Sequence, residues 1–312
     1  MHPAFSVIFF TVTSGLGYGL LVMTAIMGFF IDPFNQPIIQ QDIWRELLMA
    51  SSGIGIALAT LGLISSTLHL ANVKNAWRAM FRFKSSWLSR EGVFAILSFP
   101  IVFAYMAVVY WTDMSGLFSA LTIMIILISL TTVFSTGMIY ACLKTIRAWN
   151  TSLVPVNYIL LSLLGGIFAL NIIFAFYGAS STLLFEIMFV LLFLAFLMKV
   201  IYYFWIGQPS NLTVKSATGL AGPTRLLDNG ESSKNFLSKE FGYDISARIV
   251  LIIRSLSILF IFIIPVILLL GELSFNTFVM ILVIHYIGLF CERWLFFAEA
   301  KHVVNLFYGR EV

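Results

Sequence analysis

Long unbroken apolar runs dominate the pattern of hydrophobic and polar positions. Eight can be marked, at 5–31, 46–69, 92–111, 117–142, 155–178, 182–205, 249–271 and 276–297. Each approaches the roughly 20 residues that carry a helix across a bilayer core. A helix also satisfies its own backbone hydrogen bonds where no water is present. The pattern predicts an all-α polytopic membrane protein, an eight-transmembrane-helix bundle forming one integral membrane domain over residues 1–312. The first run starts almost at Met1, lacks a basic segment before it and is too long for a signal core, so it reads as a span. Connections are short except for 70–91 and 206–248.

Charge gives this layout an orientation. Loops 70–91, 143–154 and 206–248 and the tail after Phe297 hold Lys74, Arg78, Arg82, Lys84, Arg90, Lys144, Arg147, Lys215, Arg225, Lys234, Lys239, Arg248, Lys301 and Arg310. The opposite side has Arg45 against Asp32, Asp42, Glu46, Asp113 and Glu272. Basic loops stay in the cytoplasm, which predicts cytoplasmic termini and both long loops on that face. Trp77, Trp87, Trp149 and Trp205 fall at the inner boundary and Trp44 and Trp111 at the outer one, where amphipathic rings anchor.

Gly15, Gly17 and Gly19, with Gly53, Gly55 and Ala57 and with Gly165 and Gly166, predict close helix approaches. Pro100 and Pro265 predict bends in the third and seventh helices. In the long polar segment 206–248, FLSKEFGYDISARIV has the pattern of a short amphipathic helix before the seventh span. That segment reads either as a docking surface or as a linker.

Composition agrees with the pattern. The chain is 60% hydrophobic and 10% charged, against about 25% charged in ordinary soluble domains. The net charge of +4 follows from the basic loops and gives no reason to expect nucleic acid. Two cysteines, Cys142 and Cys291, are too few for a four-cysteine iron–sulfur cluster and read as free buried thiols.

Ionisable residues at membrane depth are the candidates for chemistry. Stretch 69–91, HLANVKNAWRAMFRFKSSWLSRE, places His69 at the end of one apolar run and Glu91 at the start of the next. Neutral histidine accepts from a hydroxyl and titrates near working pH. A carboxylate at the polar edge passes a second proton to water. The pair suits exchange with a quinone, whose tail the apolar helices would hold, although a lone boundary histidine is more often structural. Arg254, Glu292 and Arg293 form a second inner-face group, in which an Arg254–Glu292 pair would lower the cost of burial. Lys199 reads as a snorkelling residue and Glu186 as an outer-edge one. The four histidines, His2, His69, His285 and His302, do not place two ligands at one depth, so a bis-histidine haem is not expected. No metal constellation, phosphate loop or nucleophile elbow is apparent.

His69-Leu70, followed after a basic aromatic loop by Ser89-Arg90-Glu91, resembles the membrane-anchor subunit of dimethyl-sulfoxide-reductase-type molybdoenzymes. The opening MHPAFSVIFFTVTSGLGYGL, SATGL, TRLL and NFLSKE in the long loop, and ERWLFFAEAKH near the end are similar to its cytoplasmic sulfite-dehydrogenase branch. The resemblance implies a non-catalytic anchor without haem or metal in a bacterial inner membrane. Its expected partners are a ferredoxin-like iron–sulfur subunit, a molybdopterin catalytic subunit and membrane lipid. It implies exchange of electrons with ubiquinone or menaquinone, and assigns quinone binding to His69 and Glu91, with Arg82 as a weaker loop match. Ala71 and Val73 stand where the family often has Gly and Pro, which bears on the turn after His69. Two other readings stay open from the residues themselves. One is a small-solute transporter, for which Asn171 and His285 speak while Pro265 lacks a matching polar neighbour. The other is a passive anchor without quinone chemistry.

Overall fold

The computed structural model describes residues 3–31, 34, 37–67, 73–111, 114–207, 212–220, 222, 224, 243 and 245–308. Within them eight helices are long and apolar enough to cross a membrane. They are α1 (Phe5–Ile31), α2 (Ile38–Thr67), α3 (Trp87–Trp111), α4 (Ser115–Ala141), α5 (Leu153–Phe176), α6 (Thr182–Ile206), α7 (Ala247–Leu269) and α8 (Phe275–Ala298). The all-α expectation holds. Most helix starts move outward because polar residues there extend the helices, while the ends of α4, α5 and α7 fall one or two residues short of the expected bounds. α2 begins at Ile38 rather than near 46, and α3 at Trp87 rather than 92. Between α2 and α3 lies a 3-10 helix, Val73–Arg82. Of the segment 206–248, a one-turn helix, Val214–Thr218, is described. The amphipathic helix expected for FLSKEFGYDISARIV falls mostly outside the described residues, and what is described from Ala247 onward belongs to α7.

Helices α1 to α4 close into one group, through the α1–α2, α2–α3, α3–α4 and α1–α4 packings. Helix α5 joins this group through α1 and α4, and itself packs on α6 and α8, while α7 packs on α8. α1 and α5 therefore lie at the centre and bury most of their side chains.

Their crossing is as close as backbones allow. A Cβ added at Gly19 would meet the Ser162 carbonyl oxygen at 1.8 Å, and one at Gly166 would meet the Gly19 carbonyl carbon at 2.1 Å. Gly17 does the same against Gly55 and Ala59 of α2. In a bilayer, helix association rests on such van der Waals approach. Gly53, expected in the same role, has only the tip of Met106 within reach, at 3.9 Å.

Pro265 acts on α7 as a proline should. It has no N–H to offer the Ile261 carbonyl. The helix widens into a π turn at Leu259–Ile263, in which the Ile264 N–H bonds the Leu259 carbonyl. His285 of α8 then brings Nδ1 to 3.3 Å from the Ile261 oxygen. Pro265 thus has the polar neighbour that sequence reading found missing, and that neighbour serves helix packing. Asn171 is likewise satisfied locally, its Nδ2 donating to the Ile167 carbonyl at 2.9 Å.

Two further readings change. Trp149 is a core residue rather than an interface anchor. Its indole donates to the Phe296 carbonyl at 2.8 Å, and its ring stacks on Phe296 at 5.3 Å. Cys142 is exposed, just past the end of α4, and Cys291 is half-buried.

The α4–α5 turn also meets the C-terminal tail. Ile146 and His302 form a single antiparallel bridge, and the Val303 N–H donates to the Thr145 carbonyl at 3.0 Å. This puts the tail and the 143–152 turn on one face. The Ser65 hydroxyl, bonded to the Ser6 carbonyl at 3.0 Å, puts the start of α1 beside the end of α2. With eight spans, the described loops following α2, α4, α6 and α8 share that face.

Candidate functional site

Glu91 lies just over a turn inside α3, at the loop-side end of the bundle. Because α3 starts at Trp87 rather than at the apolar boundary, its side chain is buried at 4% exposure. The carboxylate Oε1 accepts from the Thr136 hydroxyl of α4. Thr136 also donates back to the Thr132 carbonyl at 3.1 Å, the usual resting place of a helical threonine. One turn on, Tyr140 stacks against Tyr158 of α5 with centroids 6.0 Å apart.

The loop before α3 is tied to the helix that carries Glu91. The Ser89 hydroxyl donates to the Met80 carbonyl at 3.0 Å, and Arg90 donates to the Phe83 and Lys84 carbonyls at 3.0 and 2.8 Å. Arg90 also lies 4.1 Å from the Trp87 ring centre. These bonds give Ser89 and Arg90 a local reason: they fold the end of the loop back over the first turn of α3. Trp77, Phe81 and Phe83 are exposed, as are Lys74, Arg78, Arg82 and Lys84. The result is a cationic, aromatic strip beside the Glu91 end of the bundle.

Of the three residues tied to quinone binding, the structure describes two. Glu91 is buried, whereas Arg82, the last residue of the 3-10 helix, is exposed. Among the described residues no contact joins them. His69 lies outside the described residues.

The second group is arranged differently from the sequence expectation. Arg254 pairs with Glu299, just beyond α8, rather than with Glu292. Burial raises the Glu299 carboxyl above its ordinary range, and Arg254 beside it partly offsets that. Glu292 instead holds two cations, Lys199 of α6 and its own neighbour Arg293. Lys199 does not snorkel: it is 4% exposed, with Nζ 4.6 and 4.8 Å from the rings of Tyr202 and Tyr203. Arg293 lies 3.8 Å from the Tyr158 ring centre. A small cavity of about 10 Å³ borders Asn157, Tyr158, Lys199, Tyr202, Glu292 and Arg293. Glu186 is exposed near the outer end of α6.

Sequence reasoning missed Thr136, Tyr140 and Tyr158, which connect the two groups, and it gave Lys199 the wrong surroundings. One signal was available. Tyr202 and Tyr203 follow Lys199 by three and four positions, on the same helix face. A lysine meant for the interface has no need of that polar aromatic floor.

The sequence matches the family described as DMSO reductase anchor subunit (DmsC) over residues 1–310. It is also 30% identical to a sulfite dehydrogenase subunit from Allochromatium vinosum, over an alignment covering 99% of each chain. Eight spans, the fold and a match that runs nearly end to end agree, and the chain belongs to the DMSO reductase anchor subunit family.

Proposed function

We propose that this anchor subunit is quinone-reactive and passes electrons between the quinone pool and an iron–sulfur subunit of a molybdopterin oxidoreductase. The observation that carries the reading is the Glu91 carboxyl, buried at the loop-side end of the bundle with a hydroxyl donor and set beside the stapled loop. A quinone exchanges two protons with its two electrons. Glu91 holds one of those protons at its carboxyl oxygens, and Thr136 orients the group. His69 is assigned to the second oxygen of the quinone head. The apolar groove between α1, α2, α5 and α8, about 440 Å³ and lined by residues such as Leu16, Leu58, Ile172 and Tyr286, opens toward lipid. An isoprenoid chain is chemically suited to such a groove.

The cationic strip with Lys74, Arg78, Arg82 and Lys84 is the docking surface for the ferredoxin-like iron–sulfur subunit, behind which the molybdopterin subunit sits. The positive-inside bias supports a cytoplasmic position for this face and both termini, in a bacterial inner membrane. The likeness to a sulfite dehydrogenase subunit favours sulfite oxidation by the catalytic partner, with quinone as the electron acceptor.

The test is titration of the purified complex with a quinone-site inhibitor such as a hydroxyquinoline oxide. Saturable binding that is lost in His69→Ala, and quinone-linked turnover reduced about 10²-fold or more in Glu91→Gln, are expected. Unchanged binding and turnover in both variants would leave a passive anchor.

A further inference from the structure

The buried charges near the loop face do not balance within their own group. Lys199 and Arg293 share a single carboxylate, Glu292. Arg254 and Glu299 neutralise each other. Among the described residues, one positive charge is left over where all three triad members are almost fully buried. Removing an unbalanced charge from water is costly. Arginine does not release its proton in proteins, whereas lysine does so readily when buried. Lys199 is therefore the member able to restore neutrality.

Among the described residues, the other buried carboxyl is Glu91. Packed aromatic contacts connect it to the triad. Glu91 bonds Thr136, Tyr140 follows Thr136 by one turn, Tyr140 stacks on Tyr158, and Tyr158 receives Arg293 on its face. With Glu292 held ionised between its two cations, the two groups counted together are neutral in two states. Either Glu91 and Lys199 are both ionised or both are uncharged.

We propose that Glu91 and Lys199 form a coupled proton pair, in which loss of the proton from the Glu91 carboxyl is matched by gain of a proton on Lys199 Nζ. The described groups facing Glu91 are Tyr18 of α1, Thr136 and Tyr140 of α4 and Tyr158 of α5. Those facing Lys199 are Tyr202 and Tyr203 of its own helix, Asn157 of α5, Glu292 and Arg293 of α8, and the Arg254–Glu299 pair. None of the others combines burial, a missing counter-charge and freedom to change its own charge. Lys199 thus acts as the proton store for Glu91, refilled from the face where Glu299 lies. Its use in turnover rests on the quinone reading above; the charge coupling does not.

The test is a pH series of infrared difference spectra on the purified complex with no quinone added, following the protonated-carboxyl band that Glu91→Gln removes. In Lys199→Arg the cation is fixed, and the band's midpoint falls about one pH unit or more below the wild type. In Lys199→Gln the cation is gone, and the band persists to higher pH than in the wild type. A Lys199→Arg titration that superimposes on the wild type overturns the coupling. That comparison decides the matter even if Lys199→Gln does not assemble. Failure of inhibitor binding to depend on Glu91 would remove the quinone site and leave this result standing.

Discussion

Glu91 illustrates what a single residue's surroundings add to its identity. Its carboxyl is out of water, and among the described residues Thr136 is its hydrogen-bond donor. Losing one partner of a buried polar pair costs about 1–3 kcal/mol. Thr136→Val, which keeps the shape and removes the hydroxyl, is expected to lower the melting temperature of the complex and to weaken inhibitor binding. Thermal melts with and without inhibitor measure both. His302 supplies a pH test outside the bilayer. Partial burial holds its imidazole below the ordinary histidine value, and its Nδ1 accepts from the Val304 N–H at 3.0 Å. A base whose folded-state pKa is depressed is favoured in its neutral form, so its docking is fully stable above the ordinary value. Stability falls as pH drops below that value and levels off under the depressed one. Hydrogen-exchange protection factors at residues 143–150 and 300–308, corrected for the intrinsic pH dependence of exchange, are expected to be higher at pH about 8 than at pH about 5; equal protection would contradict this. Glu91 and Glu292 were legible as candidates because charge is rare in such runs. Their partners were not, because Thr136, Tyr140 and Tyr158 look like ordinary residues of apolar helices until three dimensions bring them together.

At the scale of elements, the apolar runs located all eight helices but not their ends. Trp87-Leu88-Ser89-Arg90 has the composition of a loop. It becomes helix because Ser89 and Arg90 satisfy loop carbonyls while the backbone coils. That shift is what moves Glu91 from the surface into the bundle. Pro265 was legible as a distortion, but its remedy lies on another helix, twenty residues away in sequence from the proline, where no local pattern points to it. The two changes should therefore not add. Pro265→Ala returns an N–H to the Ile261 carbonyl, and His285→Leu then costs less than it does in the wild type. A double-mutant cycle on thermal stability is expected to give a coupling of about 1 kcal/mol, within the range for residues that share one contact. Strict additivity would mean that His285 does not serve that carbonyl.

For the whole molecule, composition was enough for class, since it is a sum over many residues, while the charge asymmetry between loops supplies the orientation proposed above. Neither was enough for the order of helix contacts, because eight apolar cylinders pack in many ways with the same hydropathy. Glycine spacing narrowed the choice: Gly17, Gly19 and Gly166 do mark the close crossings, although Gly53 does not. Gly166→Ala is expected to force α1 and α5 apart, costing about 1–3 kcal/mol as overpacking usually does. Yield and melting temperature of the purified complex would report it, and a melting temperature equal to wild type would show that the crossing tolerates a methyl group.

The same crossing bears on how the protein moves. Where two main chains touch with nothing between them, there are no rotamers to reshuffle and so no cheap way for one half of the bundle to slide on the other. A carrier that alternates between two openings needs such a sliding surface. An electron relay needs the opposite, since the gap between donor and acceptor governs how fast charge hops across it. Gly19 against Gly166 holds α1 and α5 in one fixed relation at the centre of the bundle, as the bed of an optical bench fixes its lenses.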